Sequence, residues 1–530
     1  MHRAIVLLLV FSGLVSSANV QATAPVADTT RVISVDFKKT KGSRNKGYQK
    51  VIGAGRAAEG LRADWQEQLL YVKKEVGFEY IRFHGLLHDD MHVYAEDAGG
   101  KPIYNWQYVD RLYDYLVKIG VRPFVEFGFM PPALASGTQT VFWWKANVTP
   151  PKSQEKWGAL VTELVKHWEA RYGKKEVEKW YFEVWNEPNL KQFFAGDLDN
   201  NARRDEYFKL YLTTVNAVKS VSPTYRVGGP ATSSSTWMAE TLQFFTDKKA
   251  PVDFISTHAY STYTAFDEFG KGHPRMREPD GISHAMERLH RTIAPTPYNK
   301  LEVHITEWNS SSSPRDPIHD TYMNATLVLN ALKKSEHLVS SMSYWTFTDI
   351  FEEAGPPETP FHGGFGLLNL QGINKPTFYA YQYLNQLGDT EIANTDSSSW
   401  VTKDSKGNLQ ALFWNYTLLD PAGKLSNQEY YSQLHPAKDK GLLKLNVANV
   451  PNGKYKMQVW LTGYQKNDAF TAYKNMGAPY NLSLQQEAEL KKGSSNKMES
   501  EKTITVKNGT VAEQFKLREN DMYLVKLMRQ

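Results

Sequence analysis

The 530-residue chain contains no cysteine. That absence excludes disulfides, thiolate nucleophiles and cysteine-built zinc or iron–sulfur sites. Charge of one sign is lacking as well. There are 62 basic against 57 acidic residues, a net charge of +5, with no long run of like charges. Such a balance leaves no electrostatic footprint for nucleic acid. No G-x-G-x-x-G or Walker-type loop follows an early strand, and Gly53-Ala54-Gly55 is too short to serve as one. A G-x-S-x-G elbow and an H-E-x-x-H pair are also missing, so serine-nucleophile and zinc-helix chemistry have no motif. Long apolar runs are confined to the N-terminus. Met1-His2-Arg3, the apolar stretch 4–15 and Val20-Gln21-Ala22 form the n-region, h-region and cleavage site of a secretory signal peptide. The stretch is shorter than the ~20 residues of a membrane span. The expectation is a leader over residues 1–22, a secreted or periplasmic mature chain, and no membrane segment.

What is present is ordinary for a globular protein, at 41% hydrophobic and 22% charged residues, with aromatics at 13%. From about residue 50 to 390, short apolar runs alternate with amphipathic stretches. Eight runs read as strands: 51–53, 80–84, 122–127, 180–186, 226–228, 254–258, 301–306 and 340–346. Helical patterns follow, among them 64–76, 106–119, 154–171, 204–221 and 322–334. In the second, Val109, Leu112, Tyr113, Leu116 and Val117 lie on one helix face, and Gly120 fits a C′ position. Eight βα units predict an α/β fold, a (β/α)8 TIM barrel over 50–390. After 390 the pattern becomes alternating, at 400–402, 409–416, 442–447, 455–460, 502–506 and 522–527. This predicts a C-terminal antiparallel β-sandwich over 391–530. Residues 31–37, in the N-terminal segment 23–49, read as a strand able to join it. The polar stretch 485–501 reads as an exposed loop.

In such a barrel, reactive groups sit at the C-terminal ends of strands. Glu187, in Trp185-Asn186-Glu187-Pro188, ends the fourth run, and Glu307, in Thr306-Glu307-Trp308-Asn309, ends the seventh. Pro188 cannot continue a central strand, so Glu187 stands near the rim. Three βα units separate the two glutamates, which places them on opposing walls of one pocket. Paired carboxylates of this kind suit glycoside hydrolysis: one protonates the leaving oxygen, and the other attacks or positions water. Burial and mutual repulsion can split their pKa values. Asn186 offers an amide to a sugar hydroxyl. Glu183 and Glu302, inside strands, read as buried structural groups. His84, His258 and Tyr260 also stand at strand ends, and Tyr260, Trp308, Tyr344 and Trp345 supply aromatic faces for a sugar. Each histidine is alone on its strand, so no metal and no cofactor is expected.

The residues also resemble glycoside hydrolase family 39, a clan A barrel family of β-xylosidases and α-L-iduronidases. The resemblance runs through Ile81-Arg82-Phe83-His84-Gly85, Glu126-Phe127-Gly128-Phe129-Met130-Pro131, Phe182 to Asn189, His258-Ala259-Tyr260, Thr306-Glu307-Trp308-Asn309, Tyr344 to Glu353 and Gly363 to Leu368. It implies retaining hydrolysis with Glu187 as acid/base and Glu307 as nucleophile. It further implies that His84, Asn186, His258, Tyr260, Trp345 and Glu352 line the sugar subsite, with Glu353 as the neighbour able to replace Glu352. An iduronidase would need a cation for its substrate's carboxylate; Arg315 is the nearest candidate by sequence. The segment 344–353 resembles the xylosidase branch. The expectation is an exo-acting β-D-xylosidase on xylo-oligosaccharides, acting as a monomer. The alternatives are another clan A glycosidase (α-L-arabinofuranosidase, α-L-iduronidase or endo-glucanase) and a non-catalytic carbohydrate-binding protein.

Overall fold

Eight parallel strands close into a barrel in chain order: β1 (Val51–Arg56), β2 (Tyr80–His84), β3 (Arg122–Phe127), β4 (Tyr181–Val184), β5 (Arg226–Ser233), β6 (Phe254–Tyr260), β7 (Glu302–Asn309) and β8 (Ser341–Tyr344). They are seen in a computed structural model, which describes residues 30–266, 272–418 and 428–530. The leader expected over residues 1–22 lies outside these. Each barrel strand leads to a helix, from Ala63–Val76 after β1 to Pro376–Asn385 after β8. The helix Gln107–Lys118 buries Val109, Leu112, Tyr113 and Leu116, the face its periodicity predicts. Gly120 follows it at φ 72°, a left-handed position that glycine adopts without strain. Among the described residues, no helix is long and apolar enough to cross a membrane.

The barrel interior is layered. At the bottom, Val51, Tyr80, Phe124, Tyr181 and Phe254 form an apolar plug. One pleat higher, two residues along each strand, the same wall turns polar with Arg82, Glu126 and Glu183, all fully buried. The next pleat opens into the mouth. The barrel interior is therefore a packed core whose polarity rises toward the C-terminal strand ends.

The second unit is a sandwich. Its seven-stranded sheet runs Thr40–Ser43, Thr390–Ile392, Ser399–Lys403, Leu409–Trp414, Met522–Arg529, Gly453–Thr462, Met498–Val506. The facing sheet has Arg31–Asp36, Asp439–Ala448 and Val511–Arg518. Arg31–Asp36 pairs in parallel with Asp439–Ala448, so the sandwich is not wholly antiparallel. The centre of the seven-stranded sheet is covered on both faces. Val401, Ala411, Phe413 and Val525 face the smaller sheet, while Trp400, Leu412, Trp414 and Leu524 join the core of the barrel helices. Double coverage explains why Leu409–Trp414 is buried at every position.

One stretch differs from the sequence reading. Residues 485–501 are not a loop: Leu484–Gly493 is a helix and Met498–Val506 a strand. Ser483 and Gln486 form a reciprocal capping box, which satisfies two otherwise orphaned N–H groups and starts a helix in a polar segment.

Candidate active site

Strand pleat alone would not bring Glu307 into the barrel. Thr306 points inward, donating to Glu183 Oε1 at 2.9 Å, and its neighbour should then point out. A register shift between β6 and β7 intervenes: Thr257 pairs with Ile305, but His258 pairs with Glu307. This bulge turns two successive side chains inward. Trp308 is thereby sent outward, where it meets Tyr344 edge-on at 5.8 Å among the helices. These two aromatics, expected to flank the glutamates, belong to the core. Alternation puts Trp345, the residue after Tyr344, in the mouth. Gly53 on β1 makes room for it, since a Cβ there would stand 2.4 Å from the indole ring.

Glu187 is placed by a different device. Trp185 and Glu187 both take positive φ, 69° and 42°, a backbone cost of about 1–3 kcal/mol each for non-glycine residues. The turn is held by packing. Trp185 is buried against Phe129 and Phe194 and donates to the Phe193 carbonyl at 2.8 Å. The Glu187 N–H donates to the Ala231 carbonyl at 3.0 Å.

Between the glutamates lies a polar lattice centred on Arg82, which is fully buried. Its Nε donates to Glu183 at 2.6 Å and its Nη1 to Glu307 Oε1 at 2.7 Å. Its Nη2 donates to Asn186 Oδ1 at 3.0 Å and lies 2.9 Å from Glu126. Because arginine only donates, Asn186 must present its carbonyl here, leaving its NH2 as a donor for a ligand. Tyr260 donates to Glu307 Oε2 at 2.8 Å. His258 Nδ1 lies 3.0 Å from Glu187 and 3.5 Å from Glu307. His84 Nδ1 donates to Glu126 at 2.7 Å, and its ring lies 4.7 Å from that of Trp345.

Electrostatics separates the carboxyls. Burial pushes Glu187 up to about 7. Burial also pushes Glu353 well above the usual range, with the neighbouring charge of Glu307 adding to it. Burial alone would raise Glu126, but the charges of His84 and Arg82 prevail and hold it low. His258 is lowered to about 4 by burial, which keeps its ring neutral. The mouth thus holds a protonatable Glu187 facing a Glu307 that is ion-paired to Arg82.

The cavity they share measures about 410 Å³ and is lined by His84, Asn186, Glu187, Tyr260, Glu307 and Trp345. Seven of the eight expected site residues meet around it, His258 from just behind Glu187. Glu352 does not. Its carboxylate accepts from Arg56 at 2.6 Å and from Arg62 at 3.2 Å, which turns it to the rim, and Glu353 lines the cavity instead. Arg315 is spent on the carbonyls of Ala354, Gly355 and Pro356. Glu302, expected to be buried, is 43% exposed and bonded to Tyr181 at the barrel floor.

The sequence reading missed Arg82, Glu126, Phe142 and Phe193 as parts of the site. Arg82 was within reach, since it lies two residues from His84 on one face of a strand. Phe142 and Phe193 come from loops, where no periodicity marks them. Among the described residues, Glu187, His258 and Glu307 also form a group able to hold a metal ion, with one donor atom each within 4.8 Å of the others. The Arg82 guanidinium on Glu307 opposes a second cation there.

The sequence profile of glycosyl hydrolases family 39 matches residues 31–511. The chain belongs to that family. This family 39 glycoside hydrolase is 43% identical over 381 residues to a β-xylosidase of Geobacillus stearothermophilus, covering 70% of this chain and 74% of the relative. It is 46% identical over 362 residues to a β-xylosidase of Caldicellulosiruptor saccharolyticus, covering 68% and 72%. Its structure superimposes on that of a monomeric β-xylosidase from Caulobacter crescentus CB15 with a TM-score of 0.89 at 37% identity, covering 94% of this chain and all of the other.

Proposed function

We propose that this hydrolase is a retaining, exo-acting β-D-xylosidase that releases xylose from xylo-oligosaccharides. The carboxyl spacing carries the reading. One oxygen of Glu187 and one of Glu307 lie within 4.8 Å of each other. Double displacement calls for about 5–5.5 Å between the carboxyls, whereas inversion needs about 6.5–9.5 Å to admit a water. Glu187, protonated up to about pH 7, delivers its proton to the glycosidic oxygen as that bond breaks. Glu307 attacks the anomeric carbon and forms a glycosyl ester. Arg82 and Tyr260 hold the Glu307 oxygens in place, so little reorganisation accompanies attack. Glu187, now ionised, takes a proton from water, which displaces the ester and frees the sugar with its original anomeric configuration. Trp345 offers a flat face to the pyranose ring, and Asn186 and Glu353 offer donors to its hydroxyls.

Two observations support the finer terms. The backbone N–H of Trp143 donates to the backbone carbonyl of Glu353 at 2.8 Å, joining the loop after β3 to the loop after β8 on one side of the mouth, where an exo enzyme needs a wall. Arg315, the cation considered for a C5 carboxylate, is engaged elsewhere, and xylose has no C5 substituent. The relatives at 43% and 46% identity are β-xylosidases, whereas the α-L-iduronidases that the chain also matches are 26–30% identical. Export of the mature chain and a monomeric state complete the proposal. N-terminal sequencing of the secreted protein and light scattering test these two.

The deciding experiment is incubation with a 2-deoxy-2-fluoro-β-xyloside followed by peptide mass spectrometry. Glu307 should carry the label, and labelling elsewhere would refute its role. Glu187→Ala should lose far more activity on xylobiose than on aryl xylosides with good leaving groups, and azide should yield β-xylosyl azide. Equal losses on both substrates would remove Glu187 from the acid role.

A further inference from the structure

A second groove opens on the flank of the barrel. It lies between the helix Ala63–Val76, the helix Pro376–Asn385 and the C-terminal end of Leu484–Gly493. Two adjoining hollows of about 370 and 270 Å³ share Tyr71, Gly372 and Lys491. Tyr71 is their platform. Its ring lies parallel to that of Phe378, 5.3 Å away and 6° from coplanar. The residue remains 38% exposed. One face is thus backed by core and the other is open, which holds the ring rigid for stacking.

The polar groups beside it are fixed in orientation. Tyr383 donates to Asn496 Oδ1 at 3.1 Å, Asn496 donates to Gln382 Oε1 at 2.8 Å, and Gln382 donates to Glu75 at 2.9 Å. A relay ending on a carboxylate leaves no ambiguity in either amide. Each amide keeps a second N–H and a second lone pair for a ligand. Independently, Asn374 lines the same hollow at 7% exposure. Its NH2 donates to the Tyr71 hydroxyl at 3.0 Å, but its Oδ1 is buried with no partner among the described residues. An unpaired buried carbonyl beside an open hollow calls for a donor from outside.

An aromatic face flanked by fixed amides and one unpaired acceptor matches a pyranose: C–H groups on the ring, hydroxyls on the amides. We infer that the groove is a second, non-catalytic carbohydrate site that holds a sugar unit of a xylo-oligosaccharide. The identity of the sugar rests on the proposed function; the existence of the site does not. It gives the polar segment 485–501 a purpose, since its helix and Ser494–Asn496 turn complete one wall.

The test is calorimetric titration of full-length Glu307→Gln, which turns substrate over slowly, with xylohexaose. Two binding events per chain are expected. In Glu307→Gln/Tyr71→Ala the second should weaken about tenfold or vanish, and Tyr71→Phe should restore it, since the platform returns. Gln382→Leu should weaken the same event and spare the other. The retained active-site event reports that each variant is folded. A single event in Glu307→Gln that Tyr71→Ala leaves unchanged, or two unchanged events with Tyr71→Ala, would overturn the inference. Hydrolysis of p-nitrophenyl β-D-xyloside by the unsubstituted protein is a separate measurement: its failure counts against the catalytic reading and leaves the titration decisive for the groove.

Discussion

Arg82 joins both halves of the proposed chemistry through a single side chain, touching Glu126, Glu183, Asn186 and Glu307 from a fully buried position. Removing one partner of a buried ion pair strands the others, at about 3–5 kcal/mol. Arg82→Ala should therefore lower the unfolding free energy by that order, read from urea denaturation, as well as abolish turnover. Arg82→Lys keeps the charge but loses the fork; it should fold and still lose at least ~tenfold in kcat/KM. Glu187 makes a second prediction. Its folded value of about 7 lies above its ordinary 4.5 because burial disfavours the charge. As the acid, it should make kcat/KM on xylobiose fall as pH rises through about 7, and a profile flat to pH 9 would contradict the assignment. The same shift affects stability. The folded state keeps this proton up to about pH 7 while the unfolded state gives it up near 4.5, so the contribution favours folding least at high pH. Glu187→Gln should thus be no more stable than wild type at pH 4 and more stable at pH 8, by on the order of 3 kcal/mol, read from paired denaturation curves.

Among the elements, β7 and the capped helix Leu484–Gly493 show how local rules succeed and fail. The sequence marks β7 as a strand ending in Glu307, and it is one. Simple alternation cannot place Thr306 and Glu307 on the same side; the bulge against β6 does, and it depends on His258, a partner 49 residues away in sequence. This is also why Trp308 and Tyr344 look like site residues in the sequence and are core in the fold. For the helix, the signal was local and legible: Ser483 three residues before Gln486. High polarity and the Gly493-Ser494-Ser495-Asn496 turn obscured it. Ser483→Ala should cost about 1 kcal/mol and raise amide exchange over 484–493 while leaving the barrel strands protected. Uniform loss of protection would show that the helix does not melt by itself.

At the scale of the molecule, the first and the last described strands meet in one sandwich. Arg31–Asp36 adds Ile33 and Val35 to its core beside Leu443, Leu445 and Val447, and Arg31 ties the strand to Asp396 through a two-pronged ion pair. A variant that begins after Phe37 should unfold its sandwich at a lower temperature than its barrel, visible in calorimetry as two transitions; a single unshifted transition would refute this. The sandwich is more than an appendage, because Trp400 and Trp414 pack into the barrel-helix core and Trp400 donates to Glu336 at 2.9 Å. Residue type and periodicity by themselves determined the eight βα units, the two glutamates at strand ends and the absence of thiol chemistry, since these follow from nearest-neighbour sterics and apolar repeat. Only the tertiary structure decided which side chains share the cavity: Glu353 over Glu352, Arg82 at its centre, Phe142 and Phe193 from loops, and Tyr71 on the flank. Those choices are made by contacts between segments far apart in the chain, where bulges, buried charge pairing and loop packing have no local periodicity to announce them.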